Sequence, residues 1–163
     1  MIVDFEQLPS SARIWIYQAS QTLNQEQTSA MQQEWEQFLQ TWKAHEQDLQ
    51  AAVKCFYNRF WVVGVDENFN AASGCSIDKQ VNFVKFLEQK YQISLLDRSQ
   101  IAFLHQEQIF TIPFYELEKA IQAGKITPEM QIFNNSITQK QDLEKNWLTS
   151  VENSWLKRYF VAV

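Results

Sequence analysis

Glycine and proline are scarce in this chain, three of each in 163 residues. Flexible linkers are rich in such residues, so the sequence reads as a single α+β domain over residues 1–163. The main core is expected at about 13–104 and a smaller extension at about 105–163. Each glycine then needs a backbone reason, and Gly64 and Gly74 fall close together. Cysteine is equally sparse: Cys55 and Cys75 form no C-x-x-C pair. That excludes a secreted disulfide scaffold and points to a reducing cytoplasm. The histidines, His45 and His105, have no second ligand at zinc spacing. No apolar run approaches the ~20 residues of a membrane span. The first residues, Met1 to Glu6, carry acids where a signal peptide carries bases. Basic residues are outnumbered 14 to 19, for a net charge of -5. An acidic chain repels phosphate backbones, so a nucleic-acid partner is not expected, nor a membrane one.

Apolar bulk, by contrast, is ample. Hydrophobic residues make up 45%, with six Trp and twelve Phe, enough for a core without disulfides or metal. Residues 13–18 read as a strand. Asn24 with Gln27 forms a capping box for a helix whose apolar face carries Met31, Trp35, Phe38, Leu39 and Trp42. His45 follows that helix as a C-terminal cation or a packed polar residue. Residues 52–57 and 60–66 are strand-like, either a hairpin around Asn58-Arg59 or one bent strand. A second helix is expected from Ser76 as N-cap, with Ile77, Val81, Val84, Leu87 and Tyr91 buried and Phe83 and Phe86 widening the stripe. With a strand at 101–104, the order is β-α-β-β-α-β, the ferredoxin-like pattern, in a mixed or antiparallel sheet with flanking helices.

The extension predicts a hairpin of 101–105 with 109–112. A short helix follows from Pro113, with Phe114, Leu117, Ala120 and Ile121 apolar and Gly124 at its C′ position. A strand at 131–133 comes next. Thr138 and Gln141 suggest a capping box for a last helix bearing Leu143, Trp147 and Val151. The tail 155–163 is apolar enough to dock, with Lys157 and Arg158 extending their charges to water.

The stretch 65–78 concentrates the polar chemistry: Asp66, Glu67, Ser73, Gly74, Cys75, Ser76 and Asp78 lie between the most strand-like run and a helix. Open α/β sheets bind ligands at such junctions, where helix N-termini offer free N–H groups. A thiolate at Cys75, one residue before the expected N-cap, would face those groups and become reactive; the plainer reading is a small side chain filling space behind a turn. Cys55 alternates with Val53 and Tyr57 and belongs in the core. Asp66 suits either a turn cap for Asn68 or Asn70 or, with Glu67 and Asp78, a cation site, though hard cations take more oxygens. Arg98 either forms a local ion pair with Asp97 or clamps an anion beside the junction. No cofactor or metal is called for. A partner protein or small ligand at 65–78, without catalysis, is the leading expectation; a thiol-dependent enzyme using Cys75 is the alternative. Aromatic residues beyond the core leave room for a homo-oligomer.

Val65-Asp66-Glu67, the run Ser73-Gly74-Cys75-Ser76-Ile77-Asp78 and the late Phe133-Asn134-Asn135, Trp147 and Ser154-Trp155 together resemble a family of bacterial proteins of about this length. The likeness extends from Arg13 onward. Members often carry the label "ABC transporter ATPase", but the family has no established activity or catalytic residue to transfer. The label conflicts with the residues. A phosphate loop ends in Gly-Lys-Ser/Thr; the only Gly-Lys here, Gly124-Lys125, is followed by Ile126 and lies at a predicted helix end, where the dipole disfavours phosphate. Residues 101–135 are also similar to small peptide-binding modules of the GYF type in their order of hairpin, helix, Gly-x-Ile turn and strand. The Gly-Tyr-Phe tripeptide itself is absent.

Overall fold

The computed structural model describes residues 1–160. The fold is α+β, with antiparallel sheets. The residues group into two compact units, one of Met1–Asp97 with Thr138–Gln141, the other of Arg98–Ile137 with the described residues from Asp142 onward.

In the first unit, β1 (Arg13–Gln18), β4 (Ala51–Phe56) and β5 (Phe60–Val65) form an antiparallel sheet in the order β1-β5-β4. β5 is central and buried throughout, which explains its unbroken apolar run. Side chains alternate between two covered faces. Trp15, Val53 and Val63 share one register row, and Tyr17, Cys55 and Trp61 the next. That face packs into the core with α1 (Gln25–Gln40) and α2 (Gly74–Tyr91). The other face carries Ile14 opposite Gly64, where a Cβ on Gly64 would stand 2.5 Å from Leu8 Cδ1. The chain passes too close there for any larger residue to sit undisturbed.

α1 begins with the expected capping box, Asn24 and Gln27 exchanging bonds of 2.8 and 2.9 Å. Met31, Trp35 and Leu39 are buried on it and Trp42 just beyond it. Two features differ from the sequence reading. His45 sits in neither a helix end nor the core. With Glu46 it forms the positive-φ turn (53° and 64°) of a small hairpin, β2 (Lys43–Ala44) with β3 (Gln47–Asp48). α2 is also turned: Ser76 and Gln80 are buried beside Val84 and Leu87, while Ile77 and Val81 are only half-buried and Phe86 is exposed. Between β4 and β5 the chain makes a true hairpin, with Tyr57 and Asn58 at positive φ and the Arg59 N–H returning to Phe56 O at 3.0 Å. Buried Arg59 donates to the carbonyls of Ala19 and Ser20 at 3.0 and 3.2 Å.

The ferredoxin-like pattern does not form, because its fourth strand joins another sheet. β6 (Gln100–His105) pairs with β7 (Gln108–Pro113) and with β8 (Gln131–Phe133), in the order β7-β6-β8-β9 with β9 at Leu148–Ser150. The second unit begins at Arg98, just ahead of β6. α3 (Leu117–Gln122) ends as the sequence predicts: Gly124 has φ 74°, its N–H reaches Ile121 O at 3.1 Å, and Lys125 N–H reaches Ala120 O at 2.9 Å. Pro113 closes β7 and precedes a 3-10 turn, Phe114–Glu116, rather than opening α3. Phe114 is exposed.

The expected last helix is the clearest correction. Thr138–Gln141 runs beside β1 instead of capping, with Ile14 N–H on Thr138 O and Lys140 N–H on Ala12 O, both 2.9 Å. Only α4 (Asp142–Lys145) is α-helical; Leu148–Ser150 is strand and Val151 opens a 3-10 turn. Leu156 docks in the core of the second unit with Phe103, Leu117 and Ile132. Residues 161–163 of the tail lie outside the described residues.

Candidate functional site

The junction after β5 is held almost entirely by its own polar groups. The Asp66 N–H extends the ladder to Gln50 O at 3.0 Å. The Asp66 carboxylate accepts the Asn68 N–H at 3.0 Å, and its carbonyl accepts from Phe69 and Asn70 at 3.2 and 3.4 Å. This is the turn cap that short acidic side chains favour. Glu67 accepts the Ala72 N–H at 3.0 Å and lies 3.9 Å from the Arg13 guanidinium. The Asn70 side-chain amide points at three carbonyls of the β2–β3 hairpin, those of Ala44, Gln47 and Asp48, at 3.3, 3.2 and 3.3 Å. One amide thus ties the loop to a hairpin that lacks glycine and could not be foreseen from composition.

The helix entry corrects the expected cap. Ser73, not Ser76, is the N-cap: its Oγ accepts the Ser76 N–H at 3.2 Å, while Ser76 Oγ accepts the Ser73 N–H at 2.8 Å. Serine replaces the usual Glu or Gln in this reciprocal box. Ser76 is buried, and its carbonyl accepts the Trp42 indole N–H at 2.8 Å. Gly74 is the first helical residue. A Cβ there would meet nothing within 4 Å, so the structure gives no steric reason for glycine at this place.

What the junction leaves outward is narrower than its sequence suggests. Cys75 is exposed, in the first turn of α2, rather than packed behind a turn. Among the described residues its thiol makes no side-chain hydrogen bond. Asp78 is exposed on the same turn. Arg98 belongs to the second unit and is exposed there. No group of three or more His, Cys, Asp or Glu side chains able to hold a metal ion occurs among the described residues. The sequence reading missed Phe69, the apolar group of this loop, which is 54% exposed. Its signal was present: a large aromatic inside a polar loop has no core to enter.

Cys55 is the opposite kind of thiol. Half-buried on the helix-facing side of β4, it is pushed up to about 11 by burial, against main-chain N–H groups of Arg59 and Phe60 that pull it down. It stays a neutral thiol at physiological pH.

No family model, no curated protein and no solved structure matches this chain. Among the described residues no helix is long and apolar enough to cross a membrane.

Proposed function

We propose that this chain is a non-catalytic binding protein of the cytoplasm, and that the 65–78 junction docks a partner protein through Phe69. The observation that carries this reading is an exposed aromatic ring on a loop whose neighbours are fixed by hydrogen bonds. Asp66 and Glu67 accept main-chain N–H groups of the loop itself, and Asn70 ties it to the β2–β3 hairpin. Such a loop loses little conformational freedom on binding, which is where preorganisation yields affinity. An aromatic side chain entering a partner's apolar pocket is the commonest source of concentrated binding energy. The two free thiols support a reducing compartment. On this reading the Ser73–Asp78 run that resembles the bacterial family is a capping and presentation element, not a phosphate loop.

The test compares wild-type protein with Phe69→Ala in recovery of bound proteins from cell extract, after both are shown to unfold at the same temperature. A partner recovered by the wild type is lost with the variant, since truncating a central aromatic costs about 2 kcal/mol, or roughly 30-fold in affinity. Equal recovery by both proteins contradicts the proposal.

A further inference from the structure

We propose that the outer edge of β4, from Val53 to Cys55, receives an extended peptide segment as an added β-strand. β4 is an edge strand. At its start, the Ala51 N–H donates to Met1 O at 3.0 Å and the Val3 N–H donates to Ala51 O at 2.9 Å. Ala51 therefore turns its main-chain groups away from β5. In an antiparallel ladder such residues alternate, so Val53 and Cys55 turn theirs outward as well. No main-chain partner takes them among the described residues. The chain's own first residues occupy this edge only as far as the parallel bridge of Ile2 with Ala51. They then leave it through the 3-10 turn Phe5–Gln7. The edge accepts a strand and is left half filled.

Over the vacant half lies a cleft of about 600 Å³. Gln25, Thr28, Ser29 and Gln32 of α1 line it from one side, and Asp4 and Glu6 from the other. Amides and hydroxyls of this kind match the N–H and C=O groups of a peptide main chain. Trp61 lines the same cleft; it is fully buried and its indole N–H has no acceptor.

The surroundings select the occupant. A second copy of this chain would bring its own α1 and 3-10 turn, the walls of its own cleft, along with its β4. A single extended segment carries no walls. Lys54 is already bound by Glu6, which leaves the exposed Asp4 carboxylate as the uncompensated charge. The occupant is accordingly a neutral or basic extended peptide, held by main-chain hydrogen bonds as in other cases of strand addition.

The experiment selects binders to the full chain from a phage-displayed library of random linear peptides and synthesises the strongest. Affinity is measured for wild type and for three variants: Ser29→Trp, which fills the cleft from an exposed position; Cys55→Pro, which removes one outward donor; and Phe69→Ala as a control at the junction. Binding is expected to weaken about tenfold or more in the first two, the equivalent of one lost main-chain bond, and to be unchanged in Phe69→Ala. Hydrogen exchange at the Val53 and Cys55 amides slows when peptide is added. If Cys55→Pro fails to fold, Ser29→Trp and the exchange measurement still decide. The proposal is overturned if no peptide is selected, if Ser29→Trp binds as tightly as wild type, if Phe69→Ala abolishes binding, or if the two amides are protected in a peptide-free dimer.

Discussion

The Tyr17 hydroxyl donates a hydrogen bond to Gln80 Oε1 at 2.5 Å, inside the core between β1 and α2. Gln80 is fully buried, and its Nε2 has no acceptor. A glutamine therefore takes an inward position of α2 that lay outside the apolar stripe expected from the sequence. Replacing Gln80 by Leu removes an unsatisfied donor and also strips Tyr17 of this acceptor. Each of Tyr17→Phe and Gln80→Leu should lower stability by about 1 kcal/mol, and the double variant should cost less than the sum by about 0.5–1 kcal/mol. Urea unfolding of the four proteins measures this; strict additivity would show that the contact contributes nothing.

The three glycines should respond differently to alanine. Gly74→Ala meets open space at the start of a helix and should stabilise by about 0.5 kcal/mol. Gly64→Ala drives a methyl group into Leu8 and should cost about 1–3 kcal/mol. Gly124→Ala must hold φ 74° and should cost about 1 kcal/mol or more. Thermal unfolding ranks them; a destabilised Gly74→Ala would mean that the helix entry is not as described.

The thiols should separate by rate. Cys75 is exposed, whereas burial raises Cys55 to about 11, so iodoacetamide at neutral pH should label Cys75 alone in the folded protein. Mass spectrometry of the digested product reads the site. The same shift makes a stability prediction. An unfolded thiol releases its proton near pH ~8.5 and Cys55 near 11, so between these values the unfolded state binds fewer protons. The stability that Cys55 contributes is therefore complete below about pH 8.5 and falls as pH rises toward 11. Cys55→Ala should lose less stability than wild type over that window. Parallel pH curves would contradict the burial of this thiol.

Much of the first unit was legible because its signals were local. Residues 13–18 alternate aromatic and β-branched side chains, and Asn24 with Gln27 announces α1; both appear with those bounds. What escaped depended on distant contacts. The His45–Glu46 turn adopts positive φ without glycine, and the Asn70 amide beneath it holds the hairpin. Thr138 and Gln141 have capping-box spacing, yet their main chain is claimed by Ile14 and Ser10, distant in sequence. At the junction the polar residues were found but their division of labour was not. Spacing alone cannot tell a serine that caps from one that is buried beneath Trp42, and it gave no weight to Phe69.

Phe69 is the proposed contact residue of a hydrogen-bonded loop. The direct measurement places a photo-crosslinking amino acid at position 69 in living cells and, as a control, at Phe86, which is also exposed but lies on α2. Irradiation should give a covalent complex with one partner protein from position 69 and none from position 86. The same complex from both positions, or none from position 69, would contradict the assignment of this loop as the docking element.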